Sequence, residues 1–372
     1  MSKAAELAAL IGSQTALSNR NLIINGAMNV AQRSTSETGL GASSGYHTID
    51  RFRIVSANTA GRFTMSQASV TDLPGFANAL KLDCTTADTS IAAAELATIQ
   101  TKLEGQNLQQ LKKGTSSAEA VTVSFYMKTN KAFTFMCEFD DNDNNIFNGQ
   151  QFTTSTSWTR HSITFVGDTT GTLDDDNAKS AQLNIHIHGG ADFTGGTYSA
   201  DTWQSRASTD VNRAVGIGSF FDSTDNEIQM TGLQMEIGEV ATPFEHRSFA
   251  DELARCQRYF YRIGEAVVSS NASFTLQGRT LSSNRTDGTL MLPSPMRAVP
   301  SVSVYESSST TVYPSNESAI VLSGETYSIV GNDSAFTDLN HVQVRTTDGG
   351  TITNGHSLIQ KYSGAISLDA EL

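Results

Sequence analysis

Cysteine is scarce in this 372-residue chain, and basic residues are fewer than acidic ones. Cys84, Cys137 and Cys256 stand far apart without metal-ligand spacing. An odd, scattered set argues against a disulfide framework and fits assembly in a reducing cytoplasm. Lys and Arg total 25 against 38 Asp and Glu, a formal net charge of −13. Phosphate recognition needs clustered cations, so nucleic acid and anionic membrane are poor default partners. There is no secretory apolar core and no apolar run of membrane-spanning length, so membrane insertion is not expected. A P-loop, a dinucleotide fingerprint and a G-x-S-x-G elbow are all missing, and no long β-helix repeat is visible. Catalysis has no positive signal, and the chain is expected not to be an enzyme.

Gly, Ser, Thr and Asn are plentiful, while 38% of residues are hydrophobic and 17% charged. That mixture suits many short strands joined by polar turns. The length suits two or three units. Ser2–Leu17 predicts a short amphipathic helix, too short to be stable alone and expected to dock on a neighbour. Asn19–Val30 reads as a strand with a turn signal at Asn25-Gly26, followed by a polar loop over Thr38–Gly45. Period-2 alternation is clearest at Val121, Val123, Phe125 and Met127, and at Phe133, Phe135, Cys137 and Phe139. Strands are also expected around Asp50–Ser56, Ile99–Leu103, Leu183–Ile187, Gly216–Phe221 and Glu227–Ile237, with a helical turn over Asn107–Leu111. Phe249–Arg262 has apolar residues at Phe249, Leu253, Cys256 and Phe260, one helical face after a Ser248 cap. The expected organisation is all-β: a docking helix over 1–20, a jelly-roll β-sandwich over 21–248, a linker helix over 249–262, and a smaller C-terminal β-sandwich over 263–372.

An ordered series of short motifs runs through the chain. N-L-I-I-N-G-A-M-N-V-A-Q-R (Asn21–Arg33) is followed by Y-H-T-I-D-R-F (Tyr46–Phe52). Then come L-E-G-Q-N-L-Q-Q-L (Leu103–Leu111), V-T-V-S-F-Y-M-K (Val121–Lys128) and G-D-T-T-G (Gly167–Gly171). T-G-L-Q-M-E-I-G-x-x-A-T-P-F-E-H-R-S (Thr231–Ser248) and E-L-A-R-C-Q-R-Y (Glu252–Tyr259) close it. Any one is weak, but the series in this order is specific, and it resembles a group of phage tail-fibre-like virion proteins found in marine phages and prophages. The C-terminal part matches mainly at P-M-R-A-x-P (Pro295–Pro300) and the closing L-D-A-E-L. The resemblance implies a domain similar to a carbohydrate-binding jelly roll on a virion appendage. It implies host attachment through glycan, a homo-oligomer (trimeric, as fibres commonly are), and contact with tail or capsid proteins through residues 1–20. A structural adaptor or capsid decoration without receptor contact is an alternative, and a glycan-cleaving tailspike another.

Sugar recognition commonly pairs aromatic faces with amides and acids, because a sugar ring presents both C–H and hydroxyl surfaces. Trp203 and Tyr198, in the polar stretch Y-S-A-D-T-W-Q, and Tyr126 are the aromatic candidates; the resembling group commonly has Trp at the Tyr126 place. Trp158, at a strand start, is read as core. Asp141, Asp143 and Asn145 begin like a calcium loop, but Ile146 and Phe152 fall where Gly and Glu are required. A structural calcium remains open there beside a solvated hairpin tip, and no other cofactor is expected. His186 and His188 share one strand face and could ligate a metal, but lack the remaining ligands of a cupin-type site. A solvent-facing or interface role is expected for them.

Overall fold

The computed structural model describes residues 19–264, 273–282, 285–306, 311–314, 320–321, 326–329, 341–347 and 357–372. The helix expected over Ser2–Leu17 lies outside the described residues. Contacts divide the chain into two units, Met1–Glu252 with Leu372, and Leu253–Glu371.

The first unit is built from β1 (Ser36–Leu40), β2 (Gly45–Tyr46), β3 (Arg53–Ala57), β4 (Arg62–Ser69), β5 (Asn78–Thr86), β6 (Leu96–Glu104) and β7 (Val121–Thr129). It continues with β8 (Thr134–Asp141), β9 (Ile146–Thr153), β10 (Thr159–Phe165), β11 (Lys179–Gly189), β12 (Gln204–Ser205) and β13 (Glu227–Ile237). One sheet has the order β1-β4-β5-β13-β7-β10, the other β12-β9-β8-β11-β6-β3-β2. Neighbours pair antiparallel, as between β7 and β10 or β6 and β11. The non-sequential order places chain-distant strands side by side, so most of the fold's pairing is long-range.

Period-2 alternation decides what lies between the sheets. Val121, Val123, Phe125 and Met127 of β7 enter one core cluster with Phe135, Cys137 and Phe139 of β8 and Leu183, Ile185 and Ile187 of β11. The intervening residues face away. On β6, Ala97, Ile99 and Leu103 are core, whereas Thr98, Gln100 and Lys102 face outward. The outward positions of these strands carry their polar side chains.

Several local expectations differ from the structure. Asn19–Val30 is irregular rather than a strand, with Asn25 and Met28 at φ +62° and +58°. Its side-chain amides replace a strand partner. Asn21 Oδ1 accepts from the Ile23 and Met235 amides, and Asn25 bonds both the N–H and the carbonyl of Val30. A Cβ at Gly26 would run into the Leu233 carbonyl oxygen, so glycine permits the close approach. Over Gly216–Phe221 the chain forms no strand; it enters a 3₁₀ turn at Phe220–Asp222, where both phenylalanines are buried. The helix spans Phe249–Gln257, shorter than expected, and a strand begins at Phe260. The Ser248 hydroxyl accepts from the Asp251 amide and so caps the helix. The boundary between the two units falls inside this helix.

The second unit is also all-β. Its strands are β14 (Phe260–Gly264), β15 (Ser273–Ser282), β16 (Arg285–Met291), β17 (Ser301–Glu306), β18 (Thr311–Pro314), β19 (Ile320–Val321), β20 (Thr326–Ile329), β21 (His341–Thr347) and β22 (Ser357–Asp369). β22 organises it: residues 357–363 pair with β15, and residues 365–369 pair with β14 and, together with Gly364, with β17. Ile366 and Leu368 are buried beside the pairing with Phe260 to Gly264.

Phe125 is fully buried and meets Phe152 edge-on at 5.1 Å between ring centroids. Phe125→Ala should destabilise the first unit by about 3–5 kcal/mol, through lost burial and the cavity left behind. Urea unfolding followed by tryptophan fluorescence checks this; a loss below about 1 kcal/mol would mean the core can close over the gap.

Candidate binding cleft on the seven-stranded sheet

The outward face of the seven-stranded sheet carries an unusual load of polar side chains. β8 presents Glu138 and Asp140, β11 presents Gln182, Asn184 and His186, and β6 presents Thr98 and Gln100. Register brings them together: Asn184 is opposite Glu138 on one side and Gln100 on the other, and Arg53 of β3 is opposite Gln100. All but Arg53 are nearly fully buried. Burying such groups is tolerable only if their hydrogen bonds are made.

They form a continuous chain of contacts. The Gln100 amide donates to Asn184 Oδ1 at 2.9 Å, and the Asn184 amide donates to Glu138 Oε1 at 2.7 Å. Gln182 donates to Asp140 Oδ2 at 2.7 Å, and Thr98 Oγ1 lies 2.9 Å from His186 Nδ1. Arg213, from the segment that follows β12, covers the β8 end of this face. Its Nε and Nη2 donate to the two Glu138 oxygens at 2.8 and 2.6 Å, and Nη2 also reaches Asp140 Oδ2 at 3.1 Å. The guanidinium lies 5.8 Å over the Phe147 ring. Arg206 donates to the second Asp140 oxygen at 3.2 Å.

The electrostatics follow from this geometry. Burial pushes the Glu138 carboxyl up, but the Arg213 guanidinium and His186 more than offset it and hold the group well below the usual carboxylate range. For Asp140 the balance is opposite. Burial and then the adjacent Glu138 charge raise it, against the pull of Arg213 and Arg206. Burial opposes the Arg213 charge, yet Glu138 and Asp140 raise its affinity for the proton. Lys179, at the start of β11, is lowered first by burial and further by the nearby Arg206 and Arg53 charges, although Asp140 pulls the other way.

Where the Arg213 segment stops, the face opens into a cleft of about 300 Å³. Its lining includes Arg53, Val55, Thr98, Gln100, Lys179 and Asn184, with Arg206 and Arg213 along one wall. Such a volume lies at the lower end of the range for small-ligand sites. Among the described residues, no Phe, Tyr or Trp lines it. What it offers is amides, a hydroxyl and cations held by a fixed network, fit for a polyhydroxylated or anionic ligand.

The aromatic candidates lie elsewhere and are not brought together. Trp203 packs edge-on against Phe139 at 5.5 Å, and its indole N–H donates to the Val166 carbonyl at 2.9 Å. The Tyr198 hydroxyl accepts from the Gln151 amide at 3.2 Å. Tyr126 lies on the outward face of the other sheet, in a group with Phe76, Phe244 and His246. Trp158, read as core, is half-buried beneath Lys128 and donates to Asp72.

Asp141 ends β8, and Asp143 and Asn145 lie in the turn that leads to β9. Asp141 is fully buried and its carboxylate meets Lys113 Nζ at 2.6 Å, so an ammonium already supplies the positive charge there. Asp143 accepts from the Asp174 amide, and the Asn145 carbonyl accepts from the Arg206 amide. His186 and His188 are buried rather than solvent-facing. His186 joins the cleft floor, 3.3 Å from Glu138, while His188 sits with Glu95 and Asp88, three donors that could hold a cation. Burial lowers the His188 pKa, so the neutral ring donates from Nε2 to Glu95 at 3.0 Å and accepts at Nδ1 from Ser219 at 2.8 Å.

Arg213, Glu138 and Gln100 were not singled out from sequence. The signal lay in β8 and β11, where acids and amides alternate with Cys137, Phe139, Leu183 and Ile185. Alternation that clean marks the polar residues as sharing one face, and carboxylates on such a face need a cation.

No family model matches the sequence, and no curated protein is similar to it. Among solved structures, the chain is similar to the enzymatically active domain of bacteriophage CBA120 tailspike protein 4, with 9% identity and a TM-score of 0.30. That match covers 59% of this chain and 21% of the tailspike chain, so it spans about a fifth of it. A family 11 carbohydrate-binding module from Clostridium thermocellum, in complex with a mixed-linked tetrasaccharide, is similar at 12% identity and TM-score 0.28, over 56% of this chain and 99% of that one. A tandem CBM22 domain from Paenibacillus barcinonensis is similar at 8% identity and TM-score 0.24, over 92% and 98% of the two chains.

Removing Arg213 leaves Glu138 as a buried, unmatched charge, so Arg213→Met should cost about 3–5 kcal/mol at neutral pH. The depressed Glu138 pKa contributes stability above the unfolded carboxylate value, and that part is lost as pH falls through the folded value. In Arg213→Met the sign inverts, because a neutral Glu138 costs less to bury, and the deficit should shrink between pH 7 and about pH 4. Denaturant unfolding across that range checks it; a pH-independent deficit would show that Glu138 is not the group responsible.

Proposed function

We propose that this chain is a structural subunit of a bacteriophage appendage, fibre-like, whose first unit is a non-catalytic glycan-binding jelly roll. The observation that carries the binding part is the pre-ordered polar floor of the cleft. Sugar hydroxyls exchange hydrogen bonds with water for hydrogen bonds with protein, so net affinity is small unless the partners are already fixed. Gln100, Asn184 and Thr98 are fixed by Glu138, Arg213 and His186, and little ordering remains at the moment of binding. The ordered motif series from Asn21 to Tyr259 supports the appendage assignment. On this reading the protein sits on the virion as a homotrimer, with residues 1–20 meeting other tail or capsid proteins. Modest affinity per cleft is multiplied across copies.

Polysaccharide arrays probed with the full chain test this. Asn184→Ala removes a cleft-floor amide and Val55→Trp fills the cleft from a half-buried lining position. Each should weaken glycan binding about tenfold, or 1.4 kcal/mol, with the melting profile checking the fold. Wild-type binding that neither variant alters would place recognition elsewhere. No glycan binding at all would favour an assembly adaptor, and sedimentation as a stable micromolar monomer would count against the fibre.

A further inference from the structure

The cleft is basic in a protein whose formal net charge is −13. Arg206 and Arg213 are matched by Asp140 and Glu138 in the floor. Arg53 and Lys179 are not. Arg53 donates to the neutral Gln100 amide oxygen at 3.2 Å, and Lys179 reaches the neutral Gln182 amide oxygen at 3.5 Å. Among the described residues neither forms an ion pair with a carboxylate. Both are half-buried, and both line the same cleft as Arg206. The Lys179 pKa is pulled down first by burial; Asp140 and Asp143 raise it, while the two arginine neighbours, Arg206 and Arg53, lower it.

Elsewhere on this unit all four of Lys81, Lys113, Lys128 and Lys131 sit against acids, whereas Arg62 and Arg160 are held by backbone carbonyls and, for Arg160, the Ser124 hydroxyl. Half-buried cations with no ion-pair partner keep their charge available to a ligand that supplies the counter-charge. A walled cleft also focuses that potential, whereas the acidic remainder repels polyanions from the rest of the surface.

We infer that the cleft selects an anionic glycan, one bearing carboxylate or sulfate groups, with Arg53 and Lys179 as the groups that meet its charge and Gln100 and Asn184 meeting its hydroxyls. This rests on the glycan-binding reading above and narrows its ligand class. A planar guanidinium takes a carboxylate or sulfate edge through paired N–H bonds, and the lysine adds a mobile point charge. The absence of an aromatic platform in the cleft fits a ligand held by charge and hydrogen bonds rather than by ring stacking.

The test is affinity electrophoresis and calorimetry of the full chain with three probes: polyguluronate for carboxylates, a sulfated carrageenan for sulfates, and laminarin as a neutral glucan. Binding to at least one polyanion is expected, with none to laminarin, and it should weaken steeply as salt rises to about 0.5 M. Which polyanion binds separates carboxylate from sulfate. Arg53→Gln and Lys179→Gln should each weaken binding about tenfold with unchanged melting, while Lys112→Gln, which removes a charge from an exposed ion pair outside the cleft, should leave it unaltered. Laminarin bound as well as the polyanions, without salt dependence, overturns the anionic ligand but leaves glycan binding standing. Equal losses from Lys112→Gln and Arg53→Gln mean a diffuse charge effect and also overturn it. Binding to none of the three sinks this inference together with the glycan-binding reading.

Discussion

The Arg213 guanidinium seated on Glu138 and Asp140 is the constraint on which the polar face of the seven-stranded sheet depends. A surface ion pair is worth roughly 0–1 kcal/mol and can be lost without consequence. This pair is different, because Glu138 and Asp140 are fully buried on a strand whose neighbours also carry buried polar groups. Desolvating two carboxylates is tolerable only with a counter-charge in good geometry, and the paired contacts at 2.6 and 2.8 Å supply it. Arg213 therefore anchors its segment on the sheet, neutralises the floor, and leaves Asn184 a charged oxygen to bond. Asn184 in turn orients Gln100. The cleft is the uncovered remainder of a face whose other part this segment occupies.

That dependence explains what the sequence disclosed and what it did not. The strands Val121–Thr129, Thr134–Asp141 and Glu227–Ile237 were legible, because period-2 alternation is a local signal that burial obeys directly. Asn19–Val30 was not, because its amide side chains bond chain-distant backbone at Leu233 and Met235, a competitor to strand pairing that no window of neighbours reveals. The cleft was the least legible part. Glu138 and Arg213 are 75 positions apart, and alone each reads as a solvated charge. Aromatic residues drew attention as sugar platforms, yet Trp203 closes the edge of the core against Phe139.

The motifs that carry the likeness to phage fibre proteins coincide with structure of another kind. The start and end of the first unit are tied together: Glu245 accepts from the Asn19 and Asn21 amides, Arg247 donates to the Ile23 carbonyl, and the Leu22 amide donates to the Met235 carbonyl. Arg247 also pairs with Glu252 at 3.0 Å, which links this knot to the first turn of the Phe249–Gln257 helix. The motif series thus encodes how the first unit is closed. It says little about what the unit holds.

Closure and recognition are separable here for a geometric reason. Successive residues of a strand point to opposite faces, so Thr98 and Gln100 can change without touching Ala97 and Ile99 in the core. The same holds for Arg53 beside Ile54 and for Asn184 between Leu183 and Ile185. Only the residues that balance the buried carboxylates are tied to stability. Arg53 and Lys179 form no ion pair among the described residues, so the charge they place in the cleft is only loosely tied to the fold's own energetics. A scaffold of this kind can keep its core, its closing knot and its Arg213 anchor while the outermost cations of the cleft vary.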